Sequence, residues 1–147
     1  RLTIGYPNQD AERRILLESV GTSDLVDSID PLFDAADLLA LQSMVEDVHA
    51  EPAIVDYLMA IVSATRSDPR VRLGVSPRGA IGLFRAARAY ALVQGRHYLV
   101  PDDVQQLVTP CLAHRILPVG AAAATTEAHE QGALILGDLL WEIAVPV

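Results

Sequence analysis

Apolar positions recur along this chain at helical spacing, in segments divided by turn residues. Asn8 precedes a first segment with Ile15, Leu16 and Val20 on one side, and Gly21 stands where a left-handed helix stop belongs. A polar, turn-rich stretch from Thr22 to Pro31 follows. Asp34 then caps a second predicted helix with Leu38, Leu41, Val45 and Val48 at i, i+3, i+7 and i+10. Pro52 restarts the chain, and Ile54, Tyr57, Leu58, Ile61, Val62 and Thr65 form the stripe of a third helix with one core face.

Charged and turn residues from Ser67 to Val75 read as a loop, and a fourth helix runs from about Ser76 to Gln94, ended by Gly95. Leu83, Phe84, Ala87, Tyr90 and Ala91 gather on one side of it, while Arg78 and Arg85 lie nearly opposite. Ile81 and Leu92 fall near the arginine side, so that face is partly apolar, as a covered surface would be. Pro101, with Asp102 and Asp103 in the first turn, marks a fifth helix with Val104, Leu107, Val108, Cys111 and Leu112 as its stripe. Pro110 removes one internal hydrogen bond and is expected to kink this helix without ending it. Beyond Leu117-Pro-Val-Gly120 the Ala/Thr segment reads as a loop or a poorly anchored helix, and a last helix is expected over Gln131 to Ile143. Strand-like runs are confined to the two ends and to Arg115–Val119. The fold class that follows is all-α, a bundle of about six helices.

Length and charge narrow the picture. At 147 residues the chain fits one domain of ordinary size. No uncharged run approaches the roughly 20 residues that cross a bilayer, so no membrane segment is expected. The opening Arg1-Leu-Thr-Ile4, with no initiator Met and no signal pattern, reads as part of a longer protein. The single cysteine, Cys111, forms no internal disulfide and fits a reducing cytoplasm. His49, His97, His114 and His129 are too scattered for a metal site, so none is expected.

The net charge of −8 opposes nucleic-acid binding, because phosphate neutralisation drives nonspecific affinity. Its distribution is uneven. Residues 1–62 carry twelve acids against three arginines, residues 63–118 eight arginines against three acids, and residues 119–147 four acids and no base. The arginines at 66, 70, 72, 78, 85, 88 and 96 have three possible counterparts: a nucleotide, an acidic partner surface, or the acidic first third of the same chain.

Within that basic island, Gly74-Val-Ser-Pro-Arg-Gly-Ala80 is the most informative stretch. Ser76 is suited to cap a helix, and Pro77 to take its first position, where its missing N–H costs nothing. Arg78 then stands on the first turn as a permanent cation, suited to a phosphate or carboxylate. A phosphate-cradling loop of the Gly-x-x-x-x-Gly-Lys-Ser/Thr type is excluded, since Ala80 and Ile81 follow Gly79 and the chain has no lysine. The acidic pairs Glu46-Asp47 and Asp102-Asp103 read as solvated faces and dipole caps, and Ser76 has no histidine base in its sequence context.

Five ordered motifs carry a family resemblance: Ile4-Gly-Tyr-Pro7 with a helix around Glu12 and Ile15-Leu16, Asp56-Tyr57 to Ala64-Thr-Arg66, Gly74-Val-Ser-Pro-Arg78, Gly95-Arg-x-Tyr98-x-x-Pro101-Asp-Asp-Val104, and His114-Arg115. Together they resemble the C-terminal helical lid of MoxR-type AAA+ ATPases over residues 1 to about 118. The resemblance implies a hinge over 1–7, a helical lid over 8–118, and a loop and C-terminal helix packing on it over 119–147. It makes Arg78 the sensor 2 residue, touching the outer phosphates of an ATP held with Mg2+ by an AAA+ core that precedes the hinge. It sets Ile4, Tyr6 and Pro7 beside the adenine; the alternative there is a simple turn with a buried tyrosine. Arg66, Arg85 and Arg115 are expected in ion pairs within the domain or between subunits. The implied partners are the protein's own core, neighbouring subunits of a ring, and a protein with a von Willebrand factor A domain, and the implied role is chaperone-like maturation of protein complexes. Two other readings stand beside it: a free-standing helical interaction module, and the lid of another AAA+ branch such as a DNA motor, which the acidic tail and net charge disfavour.

Overall fold

Helix starts are set where short polar side chains take up first-turn N–H groups. The computed structural model describes residues 5–18, 29–122 and 125–146. α1 spans Gln9–Glu18, with the Asn8 side chain accepting from the Ala11 N–H at 2.8 Å. α2 spans Ala35–Glu46, with Asp34 accepting from the Asp37 N–H at 2.8 Å while the Asp37 carboxylate accepts from the Asp34 N–H. α3 spans Pro52–Ser67, α4 Pro77–Val93 and α5 Pro101–Leu112, each with proline in its first turn. α6 spans Thr126–Glu142, capped by the Thr125 hydroxyl, which accepts from the Ala128 N–H at 3.1 Å.

The chain divides into two compact units, Leu2–Ala40 and Leu41–Val147. In the first, residues 5–17 and 29–40 are exposed except the half-buried Ala11. Val20 and Gly21, expected to continue and stop the first helix, lie outside the described residues. The stripe expected on α2 is largely uncovered: Leu38 and Leu41 are exposed, Val45 is half-buried, and Val48, the one buried member, lies past the helix end.

In the second unit α3 runs against α4, α5 and α6, and α4 packs most extensively on α5. The buried residues of α3 are the six that its periodicity marks, Ile54, Tyr57, Leu58, Ile61, Val62 and Thr65. They meet Leu83, Ala87 and Ala91 of α4, Val104, Val108 and Leu112 of α5 and Leu136 of α6 in one cluster. Each fully buried Leu, Ile or Val there contributes roughly 1.5–3 kcal/mol relative to exposure. The Tyr57 hydroxyl accepts from Gln105 Nε2 at 3.0 Å, so its polar end is satisfied. α5 continues through Pro110 to Leu112. Leu92, expected toward the arginine side of α4, is instead half-buried against the core.

Two features depart from the sequence reading. The stretch expected as a plain loop contains β1, Val71–Leu73, which pairs antiparallel with β2, Leu117–Pro118, with Val71 opposite Pro118 and Leu73 opposite Leu117. α6 begins five residues earlier than Gln131, at Thr126, because Thr125 caps it; residues 123 and 124 lie outside the described residues.

Candidate functional site

Arg78 is held in place by the end of α3. Gly74 passes so close that a Cβ there would stand 2.7 Å from the Thr65 carbonyl oxygen and 2.8 Å from Arg66 Cα, both backbone atoms that cannot swing aside. Thr65, fully buried, donates its hydroxyl to the Val62 carbonyl at 2.7 Å and accepts the Val75 N–H at 3.1 Å. Arg66 Nε donates to the Val75 carbonyl at 2.9 Å. Both polar backbone groups of Val75 are thus bound by side chains of α3, while its own side chain is sunk in the core.

From that anchor the chain turns into α4. The Ser76 hydroxyl accepts from the Gly79 N–H at 3.2 Å, and the Ala80 N–H donates to the Ser76 carbonyl at 3.1 Å. Gly79 lies against Val75: a Cβ there would be 2.8 Å from Val75 Cγ1 and 3.5 Å from Arg115 Cδ. Arg78 points the other way, exposed, and among the described residues its guanidinium makes no hydrogen bond or ion pair. A permanent cation without an internal partner, on a rigid helix start whose free N–H groups add positive potential, is chemically suited to an anionic ligand.

The rest of the basic island is mostly occupied within the domain. Arg70 bridges Asp68, at 2.7 Å, and Asp138, at 2.6 Å; the hydrogen bond from Arg70 lowers the Asp68 pKa, and the two carboxylates raise that of Arg70. Arg88 Nε donates to the Val48 carbonyl at 2.8 Å and its Nη2 to that of Glu46, with the guanidinium 5.3 Å from the centre of the Phe84 ring. Arg96 grips both oxygens of Asp103, one at 2.7 Å. The partners are therefore Asp68, Asp103, Asp138 and backbone carbonyls, where the acidic first third was one candidate. Arg66 and Arg115, expected in ion pairs within the domain or between subunits, make no ion pair among the described residues; each donates its Nε to a carbonyl, Arg115 to that of Cys111 at 3.1 Å. Among the described residues Arg72, Arg78 and Arg85 are left without a bonded partner.

Asp103, expected as a solvated cap, is buried. Burial pushes its carboxyl pKa up, but the Arg96 hydrogen bonds, the Val100 N–H at 3.0 Å and the charge of Arg96 outweigh this and hold it below the ordinary carboxylate range.

At the expected hinge, Ile4 lies outside the described residues. Gly5 has φ of +79°, and Tyr6 and Pro7 are exposed, so the buried tyrosine of the alternative reading is not found. Tyr6 and Pro7 belong to the unit before Leu41 and Arg78 to the unit after it. Among the described residues no cluster of histidine, cysteine and acid side chains could hold a metal, and no helix is long and apolar enough to cross a membrane.

The sequence reading undervalued Thr65 and Arg66, which fix Val75. One signal was present: Thr65 is the only member of the α3 stripe without a carbon-rich side chain, and a buried hydroxyl needs a partner.

The AAA lid domain profile matches residues 63–134, a span that takes in Thr65, the Gly74–Ala80 turn and the Arg96–Asp103 pair. The class of the protein is thus a helical AAA lid. Within that class the chain belongs to the MoxR-type AAA+ lids. It is 31% identical over 155 residues to chaperone MoxR1 of Mycobacterium tuberculosis, with 99% of this chain and 40% of that protein covered. It is 40% identical over 117 residues to the uncharacterized protein YeaC of Bacillus subtilis, with 80% of this chain and 36% of that protein covered. The crystal structure of a candidate ATPase from Cytophaga hutchinsonii shares the fold, with a TM-score of 0.73 at 20% identity over 98% of this chain and 45% of that one. The chain therefore spans well under half the length of the relatives it matches.

Proposed function

We propose that this lid completes the nucleotide site of an ATP-hydrolysing MoxR-type protein, with Arg78 as its sensor 2 residue. The observation that carries the reading is the exposed guanidinium of Arg78, without a partner among the described residues, on a helix start pinned through Val75 to α3. A cation held this way suits the outer phosphates of ATP, whose charge it would offset as the terminal phosphoryl group transfers. Mg2+ would be held by the AAA+ core. Because Arg78 is rigidly joined to the bundle, its hold on the phosphates would tie lid position to nucleotide state. Ile4, Tyr6 and Pro7 would border the adenine.

The same reading assigns the whole protein to a ring of like subunits in the cytoplasm, acting in chaperone-like maturation of protein complexes beside a partner with a von Willebrand factor A domain. The name of MoxR1 as a chaperone supports that role. No nucleic acid is assigned as a partner, in keeping with the net charge of −8.

The test is steady-state hydrolysis by the full-length protein. Arg78→Ala is expected to lower kcat by roughly 100-fold to 1,000-fold, the size of losing one donor to a developing charge, with the melting temperature unchanged because Arg78 makes no internal bond among the described residues. Arg78→Lys keeps the charge but not the fork and should recover only part of the loss. Normal turnover in Arg78→Ala would remove the sensor 2 assignment.

A further inference from the structure

α6 buries Ala128, Gly132, Ile135, Leu136 and Leu139 on one side. Its opposite side carries Leu134, Gly137 and Trp141, which at about 100° per residue share an arc of roughly 60°. Leu134 is 71% exposed and Trp141, the only tryptophan of the chain, 93%. Between them a Cβ at Gly137 would meet nothing within 4 Å, whereas one at the buried Gly132 would strike the Ala113 carbonyl oxygen at 2.8 Å. Nothing among the described residues requires a glycine at 137, although glycine in a helix interior weakens the helix. The result is a notch in an apolar ridge, open to an approaching backbone.

The net charge around this ridge is negative. Residues 119–147 carry four acids and no base. Asp138 is neutralised by Arg70 at 2.6 Å, while Glu127, Glu130 and Glu142 are exposed and make no ion pair among the described residues. A second copy using the same face would set these glutamates against one another, which is unfavourable. The AAA lid profile ends at residue 134, so Gly137 and Trp141 lie beyond what that match describes.

We infer that this face docks a helix of another protein, apolar along one edge and flanked by lysine or arginine, which crosses Gly137 between Leu134 and Trp141. The notch admits the helix backbone, the two apolar side chains grip it from either side, and the glutamates select its charge. The proposal is independent of Arg78, which stands on α4.

The experiment is fluorescence anisotropy of two labelled synthetic amphipathic helices, each with a leucine edge, one flanked by lysine and one by glutamate, titrated with the full-length protein. The lysine peptide is expected to bind at least about tenfold more tightly than the glutamate peptide, and Gly137→Leu and Trp141→Ala each to weaken it about tenfold or more. Gly137→Leu fills open space with a better helix former, so its melting temperature should rise while binding falls, which separates lost docking from lost folding. Equal binding of the two peptides, no binding of the lysine peptide, or binding unaffected by Gly137→Leu would overturn the proposal. Self-association abolished by Gly137→Leu in sedimentation would also overturn it, assigning the face to a second copy.

Discussion

Asp103 shows how little a side chain's type says about its environment. Beside it, Asp102 is exposed; Asp103 is buried, two-handed with Arg96 and bonded to the Val100 N–H. Its folded-state pKa lies below the ordinary 3.8, so its contribution to stability is present above that value and is lost as pH falls through 3.8 toward the depressed folded value. Asp103→Asn is therefore expected to destabilise the domain by about 2–3 kcal/mol near neutral pH, the scale of a hydrogen bond to a charged group, and to flatten the acid limb. Urea midpoints of both proteins between about pH 7 and pH 3 measure this. Asp68, lowered by Arg70, should leave part of the acid dependence in the variant. An equally steep acid limb in Asp103→Asn would contradict the assignment. Helix position explains the difference between the neighbours, because the third residue of a helix folds back on the cap N–H and the second does not. The helix start was legible in Pro101-Asp-Asp103, but both acids read alike there, as a solvated cap. The arrival of Arg96 was not legible, since it depends on the turn at Gly95, where φ is +75°.

At the scale of elements, local periodicity revealed what local physics determines. The stripe of α3 and the caps at Asp34 and Ser76 depend on neighbours a few residues away, and they form as expected. β1 was invisible for the opposite reason: three residues paired with a partner more than forty positions later leave no alternation to read. The start of α6 was hidden by the alanine run before Thr125, which has no period. The outward, unpartnered side of Arg78 could be read from helix geometry, but its anchoring through Gly74 could not, because close approach of two backbones is a tertiary fact. Gly74→Ala tests that anchor. The added methyl collides with backbone at 2.7–2.8 Å, so the α3–α4 link must shift. A loss of about 1–3 kcal/mol, the overpacking range, is expected in denaturant melts, together with lower turnover of the full-length protein. Unchanged turnover despite lower stability would show that Arg78 does not depend on this contact.

For the whole molecule, the buried hydrophobic residues among those described all lie from Val48 to Leu139, within the unit that starts at Leu41. The residues before that unit carry much of the acid: eight of the nineteen acidic residues and three of the eleven basic ones precede Leu41. Removing them takes the net charge from −8 to −3, eleven acids against eight arginines in residues 41–147. Hydrophobic burial scales with the area hidden from water, and self-repulsion rises with net charge; both favour a unit that folds without the first forty residues. A chain beginning at Leu41 is therefore expected to unfold cooperatively in urea, with a midpoint no lower than that of the 147-residue chain and an m-value close to it, since m follows the surface exposed on unfolding. Far-UV circular dichroism and the near-UV signal of the buried Tyr57 should trace one transition, while emission from Trp141, the only tryptophan, changes little because it is already 93% exposed. A broad, non-cooperative melt, or a midpoint lower by the equivalent of more than about 2 kcal/mol, would mean that the first forty residues contribute packing that their exposure does not show.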